Sequence, residues 1–176
     1  MTQEKAPTGT SGPGKLVADR LRRTVRGPMW HGPALSELLE RVSLTDSIAR
    51  PIAGAHSIFE LVVHTTAWAE IAHQRLVASA AGRKTAEPTR REDWPDVPDT
   101  PTEKSWQAAI SRLTDVYDAL ADLSATLDAD ALKAIVKGRE YRAIVMLDGV
   151  VEHGTYHGGQ IALLLKALAP TNTRFR

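Results

Sequence analysis

Apolar residues recur along most of the chain at the three- and four-residue spacing of amphipathic helices, which predicts an all-α fold. The three longest helical patterns cover residues 57–81, 102–124 and 141–169, and a shorter pattern over residues 15–26 precedes them. No stretch shows the alternating pattern of a β-strand with comparable strength. Four principal helices in sequence, three of them long, predict a four-helix bundle.

Residues with strong capping or helix-ending preferences mark several of these boundaries. Ser57 and Glu60 have the spacing of a capping box, in which each side chain accepts a hydrogen bond from the other residue's free amide, so a long helix is predicted to begin there. Gly82 predicts the end of that helix. The Gly27-Pro28 pair predicts the end of the first helix.

The chain is predicted to form one domain between two short tails. Residues 1–14 are rich in Thr, Gly, Pro and Ser, which predicts a disordered tail, and residues 171–176 form a C-terminal tail. The domain over residues 15–170 is long enough to bury a substantial core. Within it, shorter helices are expected over residues 34–42 and 128–136.

The segment over residues 82–101 is unusually long for a connection in a compact domain, and it contains four prolines. Loops of this length often carry function, so Trp94 within it could act as a lid or line the mouth of a site. The alternative is that Trp94 fastens the loop to the bundle by ordinary apolar packing. The sequence pattern leaves both roles open.

The composition excludes some classes of partner and location. Hydrophobic residues make up 43% of the chain and charged residues 24%, as in ordinary globular proteins. The formal net charge of +1 gives no electrostatic reason to expect nucleic acid or a membrane as a partner, and the arginines between residues 20 and 26 indicate a solvated helix face. The N-terminus lacks the apolar core of a signal peptide and no run is long enough to span a bilayer, so a cytoplasmic location is expected.

The absence of cysteine narrows the chemistry that the chain can perform by itself. Without thiolates, a bound metal ion must rest on histidine, carboxylate and water. The chain also lacks a thiol nucleophile of its own.

His153 and His157 are the most informative residues, because they fall on the apolar stripe of the last predicted helix, where leucines are expected. Burying two imidazoles costs free energy unless their nitrogens find partners. A divalent metal ion is one such partner, since histidines four residues apart on a helix aim both rings at one point. The alternative is a pair of core histidines that are hydrogen-bonded to carbonyl groups.

His64 places a third imidazole on the apolar face of another long helix, between Leu61 and Trp68. Facing positions on neighbouring helices are close enough for inward imidazoles to share an ion. Three histidine ligands leave a coordination position open, which is typical of catalytic rather than structural metal sites.

The other histidines are expected to have local roles. His56 lies just before the capping box, which favours a role at the helix terminus over ligation. His73 falls on the face of its helix opposite His64 and is expected to be exposed to solvent. His31 lies between two Gly-Pro pairs, where it could line a cavity or pack against the turn.

Four glycines interrupt the last predicted helix around the histidine pair, at Gly149, Gly154, Gly158 and Gly159. Each costs about 1 kcal/mol in a helix relative to alanine. Their presence indicates that a chain or a ligand approaches the backbone closely at this point. The alternative, a bend or break of the helix, is disfavoured by the strong helical pattern on both sides.

Two motifs in this order and spacing resemble the DinB-like (YfiT-related) superfamily. They are the histidine in residues 61–68 and the pattern H-x-x-Y-H-x-G-Q-I in residues 153–161, and residues 29–35 resemble a further segment of that family. The likeness covers residues 15–169. It implies an up-down-down-up four-helix bundle, often a homodimer, and a divalent-metal site that maps onto His64, His153 and His157.

Members of the superfamily with known activity are similar to S-transferases and isomerases that use mycothiol, bacillithiol or glutathione, and others are described as metal-dependent hydrolases. The resemblance therefore implies an ion, with zinc or nickel expected, and a low-molecular-weight thiol as cosubstrate with a small electrophile. In this hypothesis the ion stabilises the thiolate that the cysteine-free chain cannot supply. The alternatives are hydrolysis by metal-bound water, or a module that binds a metal or a small ligand without catalysis.

Four further side chains are candidates for helping such a reaction. Gln160 could orient a group next to the metal ligands or the substrate, or could make a hydrogen bond within the bundle. Tyr156 could donate to the substrate, with interhelical packing as the favoured alternative. Arg139 and Arg142 could bind a carboxylate of the thiol, although a solvated helix entrance is the favoured interpretation of both.

Overall fold

A computed structural model describes residues 12–169 of the chain, and this part is all-α, as the hydrophobic pattern predicts. Eight helices lie within it. They are α1 (Pro13–Arg26), α2 (Leu35–Leu39), α3 (Leu44–Ile48), α4 (Ile58–Ala80), α5 (Arg90–Asp93), α6 (Glu103–Ala125), α7 (Ala129–Lys133) and α8 (Ala143–Leu168). The four longest, α1, α4, α6 and α8, pack together as a four-helix bundle. None of the helices in residues 12–169 is long and apolar enough to cross a membrane.

The long helices α4 and α6 lie side by side and run in the same direction. Phe59 packs against Trp106 near the first turn of each helix, with ring centroids 5.1 Å apart, and Glu70 accepts a hydrogen bond from Arg112 further along both. Parallel neighbours need a crossover that returns along the bundle, which is why the connection from residue 81 to 102 is long.

The helices α1 and α8 run in the opposite direction to α4 and α6. Arg22 of α1 pairs with Asp122 of α6, and Arg26, one turn later in α1, pairs with Asp118, one turn earlier in α6. The two helices are therefore antiparallel.

Arg20 of α1 pairs with Asp148 of α8 at 2.6 Å. Thr24, one turn further along α1, lies against Gly154, further along α8, so α1 and α8 run in the same direction. The order of the four long helices along the chain is thus up-down-down-up, as the resemblance implies. The arginines of α1 lie at the surface, as predicted, and form ion pairs with acidic residues.

Several predicted boundaries are confirmed, and others are corrected by local geometry. Ser57 and Glu60 form the predicted capping box at the start of α4, and Gly82 adopts φ +71° after its end. The first helix begins at Pro13 rather than at residue 15, because proline fixes the φ value that a first helical turn requires. The rest of the predicted N-terminal tail, and residues 171–176, lie outside the described residues.

The short helices are the least accurate part of the prediction. Of the helix expected over residues 34–42, only Leu35–Leu39 is helical, as α2. The helix expected over residues 128–136 ends at Lys133, because the chain then becomes extended and Ile135 forms a β-bridge with Arg142. Helices α3 and α5 are not predicted at all. Each contains only a few residues, so the apolar periodicity that marks long helices has no room to develop.

Candidate metal centre

Helices α4 and α8 bring His64, His153 and His157 together, as the sequence predicts. The Nε2 atom of His153 lies 3.1 Å from Nε2 of His64 and 2.9 Å from Nε2 of His157. His64 and His157 are buried and His153 is half-buried. Among residues 12–169, these three form a group of potential ligand atoms that all lie within 4.8 Å of one another.

Two of the three rings are held in the tautomer that a metal ligand needs. His64 donates from Nδ1 to the backbone carbonyl of Asp93 at 2.6 Å, and His157 donates from Nδ1 to Oε1 of Gln160 at 2.6 Å. Because both acceptors are oxygens without a proton, each ring carries its hydrogen on Nδ1 and leaves a lone pair on Nε2. Both lone pairs are therefore available where the three rings meet.

His153 provides the test of whether a metal ion fits this group. Its Nδ1 atom is buried and has no hydrogen-bond partner among the residues that the structure describes. Its Nε2 atom lies against two nitrogens that already carry lone pairs. A neutral His153 carries one ring proton, which cannot serve both the Nε2 lone pair of His64 and that of His157. Two nitrogens bound to one ion at about 2.0–2.1 Å are separated by roughly 2.9–3.4 Å, which matches the observed spacing. The residues present fit a divalent ion.

The environment keeps all three rings neutral at ordinary pH. Burial lowers the pKa of His64 and of His157 below the usual 6.5. For His153, burial and the two neighbouring imidazoles lower the pKa to about 4. Neutral imidazole is the form that binds a metal ion, so protons compete weakly for this site near pH 7.

Asp93 is a functional residue that sequence reasoning missed. It is the last residue of α5, and its carboxylate accepts a hydrogen bond from Nε1 of Trp68 at 2.7 Å while its carbonyl orients His64. Thr89 and Glu92 form a capping box that starts α5. The T-x-x-E pattern was the available signal for an ordered turn within the long crossover.

Trp94 covers the histidine group from the side of the crossover. Its ring stacks on His64 with centroids 3.7 Å apart and an interplanar angle of 6°, and its other face stacks on His56 at 3.7 Å. His56 also lies 3.6 Å from Glu60 at the start of α4, in the helix-terminus position predicted for it. Trp94 thus both fastens the crossover and walls the site.

A cavity of about 620 Å³ opens beside the histidines and is the right size for a small molecule. His64 and His153 line it, together with Trp94 and a largely apolar wall. The remaining lining residues are Trp68, Ala72, Arg75, Glu87, Asp93, Arg139, Tyr141, Met146, Gly149 and Val150.

The two candidate helper residues, Gln160 and Tyr156, form a chain behind His157. Nε2 of Gln160 donates to the Tyr156 hydroxyl at 3.2 Å, while Oε1 of Gln160 accepts from His157. Tyr156 is 64% exposed, so the predicted interhelical packing within this chain is wrong for it. Neither residue lines the cavity described above. Tyr156 points away from it, because it lies on the outer side of α8.

The glycines of α8 serve different purposes from one another. A Cβ at Gly154 would lie 2.6 Å from both the Tyr117 hydroxyl and Cγ2 of Thr24, so the predicted close approach of another chain segment is confirmed there. At Gly149 and Gly159 a Cβ would meet nothing within 4 Å. The helix runs unbroken through all four positions.

The remaining polar candidates lie away from the histidine group. His31 is exposed and lines a separate cleft beside Gly154 and Gly158. His73 is half-buried on the outer side of α4 rather than exposed as predicted. Arg142 is exposed, as expected of a solvated helix entrance, but the Arg139 side chain is only 10% exposed, and that interpretation is wrong for it.

Replacing Gln160 with leucine is expected to lower the affinity for a divalent ion about 10–100-fold, because His157 would lose the acceptor that fixes its tautomer. The matched control is Gln160→Glu, whose carboxylate can still accept from Nδ1. Competition with a chromogenic chelator measures both affinities. Equal affinities of wild-type protein and the leucine variant would show that this hydrogen bond does not orient a ligand.

The fold and the histidine group together define an all-α bundle with a potential metal centre between two of its long helices. The family model of the DinB superfamily matches residues 30–161, three quarters of the chain, and the chain therefore belongs to the DinB superfamily. The resemblance stated from the two histidine motifs is confirmed. No curated protein and no solved structure matches the chain significantly.

Proposed function

We propose that this protein is a divalent-metal-dependent enzyme in which His64, His153 and His157 hold the ion and a low-molecular-weight thiol attacks a small electrophile. The observation that carries the proposal is the convergence of three Nε2 atoms beside a cavity of about 620 Å³, which His64 and His153 line. When bound, the ion supplies a Lewis acid that favours the deprotonated form of a thiol or a water. Zinc and nickel both suit imidazole ligands.

The ligand count favours a catalytic ion over a structural one. Closed structural sites use four protein ligands, whereas this group offers three histidines. Glu152, the nearest carboxylate in sequence, is exposed and belongs to no such group in residues 12–169. The adjoining cavity gives a ligand from solution access to the remaining position.

The residues around the histidines have supporting roles in this proposal. Asp93 and Gln160 hold His64 and His157 in orientation, and Trp94 shields His64 from bulk water. Tyr156 adds a hydrogen bond to Gln160 and so acts on His157 indirectly, as a positioning residue. The apolar cavity wall binds the electrophile and excludes water, which would otherwise compete with the thiol.

A thiol is the nucleophile that best fits the composition of the chain. The sequence contains no cysteine, so a sulfur nucleophile must come from a cosubstrate. Thiolate is a stronger nucleophile than thiol, and a neighbouring cation shifts the equilibrium toward it at neutral pH.

Turnover of a chloronitroarene by metal-loaded protein, with and without mycothiol, bacillithiol or glutathione, tests the proposal. The expected result is product formation that requires one of the thiols and is lost after chelation. Turnover of ester or amide substrates without thiol would instead identify a hydrolase. Stoichiometric metal binding with no turnover of either class would indicate a binding module.

We also propose that the protein is a homodimer that uses the outer face of α8. Val145, Tyr156 and Leu163 are large, exposed side chains on this helix, and their spacings of 11 and 7 residues place them within roughly 20° of one another. Large apolar side chains are costly to leave in water, and a second copy of the chain would cover these three together with the exposed Glu152, which lies between Val145 and Tyr156 on the same face.

Replacing Leu163 with lysine is expected to shift the protein toward monomer, because a charge would be buried within the paired face. Leu16→Lys is the matched control, since Leu16 is as exposed but lies on α1. Sedimentation equilibrium measures both. A wild-type protein that stays monomeric at micromolar concentration would contradict the homodimer.

A further inference from the structure

Two arginine side chains are buried in the wall of the same cavity, away from the histidines. Arg75 extends from α4 and is 6% exposed, and Arg139 extends from the turn between α7 and α8 and is 10% exposed. Arginine always carries its charge in proteins, so a buried guanidinium requires partners for its donors.

The terminal nitrogens of both arginines have partners, but the Nε atoms do not. Arg75 donates from Nη1 to the Tyr141 hydroxyl at 2.8 Å, and Arg139 donates from Nη2 to the carbonyls of Thr85 and Ala86 at 3.2 and 2.9 Å. Within the described residues 12–169, Nε of Arg75 and Nε of Arg139 are buried and have no hydrogen-bond partner. Such unused buried donors are rare, and here they belong to residues that line a cavity.

Glu87 shows that this place accommodates a carboxylate. Its Oε2 atom lies 3.1 Å from Nη2 of Arg75, and its Oε1 atom lies 3.2 Å from Nη1 of Arg139. The Glu87 side chain is 71% exposed, so it reaches the two guanidinium groups from solvent and can leave them without disturbing the core. One carboxylate therefore bridges two positive charges.

The rest of the lining completes a cavity with chemically distinct ends. Trp68, Met146 and Val150 provide an apolar stretch, and His64 and His153 belong to the proposed metal centre. The carboxylate of Asp93, the other acidic group of the lining, accepts a hydrogen bond from Trp68 and lies 3.4 Å from Nδ1 of His64. The cavity is thus suited to a molecule with an apolar body and an anionic group.

We infer that Arg75 and Arg139 form an anion subsite that binds the carboxylate of a small molecule whose apolar body extends toward the histidines. Its oxygens accept from Nη2 of Arg75 and Nη1 of Arg139, the nitrogens that now pair with Glu87, so Glu87 competes with it for the same guanidinium groups. A carboxylate is favoured over a phosphate, because the Glu87 carboxylate already bridges both guanidinium groups, at 3.1 and 3.2 Å. That the bound molecule is a substrate rests on the proposed function, whereas the binding itself requires no metal ion.

Calorimetric titration of chelator-treated, metal-free protein with benzoate tests this subsite. Benzamide is the neutral control of the same shape, and phenyl phosphate tests the alternative anion. Benzoate is expected to bind at least tenfold more tightly than benzamide, because charge-assisted hydrogen bonds are stronger than neutral ones. Equal affinity for benzoate and benzamide would overturn the subsite, and tighter binding of phenyl phosphate would overturn the choice of carboxylate.

Two substitutions with opposite expected effects assign the site to these residues. Arg139→Gln is expected to weaken benzoate binding at least tenfold, and Glu87→Gln to strengthen it severalfold by removing the internal competitor. Arg112→Gln, which removes an exposed arginine paired with Glu70 on the outside of the bundle, is the control and should leave the affinity unchanged. If Arg139→Gln does not fold, the Glu87 variant still decides, because unchanged affinity there would contradict the competition.

The outcome separates this inference from the proposed function. Loss of metal uptake with intact benzoate binding would remove the metal-dependent reaction but keep the subsite. Metal uptake and thiol-dependent turnover without a preference for benzoate over benzamide would support the metal-dependent reaction and overturn the anion subsite. If both hold, Arg139→Gln is expected to raise KM for a carboxylate-bearing electrophile while KM for its amide stays the same, with little change in kcat.

Discussion

Replacing His153 with alanine is expected to abolish high-affinity binding of a divalent ion while leaving the bundle folded. The substitution removes one of three candidate ligands, so the loss should exceed the 10–100-fold effect typical of removing an outer-shell partner. In the absence of metal, the variant should be at least as stable as wild type. Wild-type protein contains a buried, unpartnered Nδ1 and crowded imidazoles at this position, and alanine removes both.

The measurement is thermal unfolding with and without added zinc or nickel. A ligand present at 100 times its dissociation constant stabilises the folded state by about 2.7 kcal/mol, so wild-type Tm should rise by several degrees and the Tm of the variant should not. His73→Ala is the matched control, since it removes an imidazole from the outer side of α4 and should keep the full metal response. An equal rise of Tm in the His153 variant would exclude this histidine as a ligand.

Replacing Gly154 with alanine is expected to destabilise the protein by roughly 1–3 kcal/mol, the usual cost of overpacking a core. The added Cβ would overlap the Tyr117 hydroxyl and Thr24 on two neighbouring helices. Both side chains are buried and hydrogen-bonded, Tyr117 to the Val150 carbonyl and Thr24 to the Arg20 carbonyl, so neither can move without losing a bond. The remaining relief is a shift of α8, which would displace His153 and weaken metal binding as well.

Gly159→Ala provides the comparison on the same helix. Within residues 12–169, a Cβ there meets nothing from another part of the fold within 4 Å, so the better helix propensity of alanine should stabilise the protein by up to about 1 kcal/mol. Urea unfolding of both variants measures the two free energies. If the Gly154 variant were as stable as the Gly159 variant, the close packing of α8 against Tyr117 and Thr24 would be contradicted.

The long helices and the three histidines could be predicted because they depend on periodic patterns. In α4 and α8, histidines occupy positions that the apolar repeat assigns to the core, and a buried imidazole needs a partner whatever the detailed packing. The order of the bundle followed from the resemblance to the DinB superfamily, which the family match supports.

The environment of the site could not be predicted, because it depends on the crossover between α4 and α6. Asp93 and Trp94 reach His64 through the short helix α5, and a single helical turn carries too few residues for periodicity to show which way they face. The burial of Arg139 was missed for a similar reason. Its partners Thr85, Ala86 and Glu87 lie more than fifty residues earlier in the chain, and only the tertiary fold brings them to it.

The glycines of α8 show that a local sequence pattern can predict a close contact but not which residue makes it. Four glycines in one helix indicated a close approach, but sequence could not show that Gly154 faces Tyr117 while Gly149 and Gly159 face open space. The direction in which each position points relative to neighbouring helices is a property of packing and not of the helix itself.

The central claim is that His64, His153 and His157 bind a divalent ion that can also accept a thiol from solution. Metal analysis and X-ray absorption spectroscopy of protein purified without added metal test it most directly. We expect a stoichiometric ion with imidazole ligands, and a new sulfur ligand when thiol is added, which the cysteine-free chain cannot supply as a thiolate. An ion that a His64→Ala and His153→Ala double variant retains with unchanged ligands, or protein that takes up no ion at all, would contradict the claim.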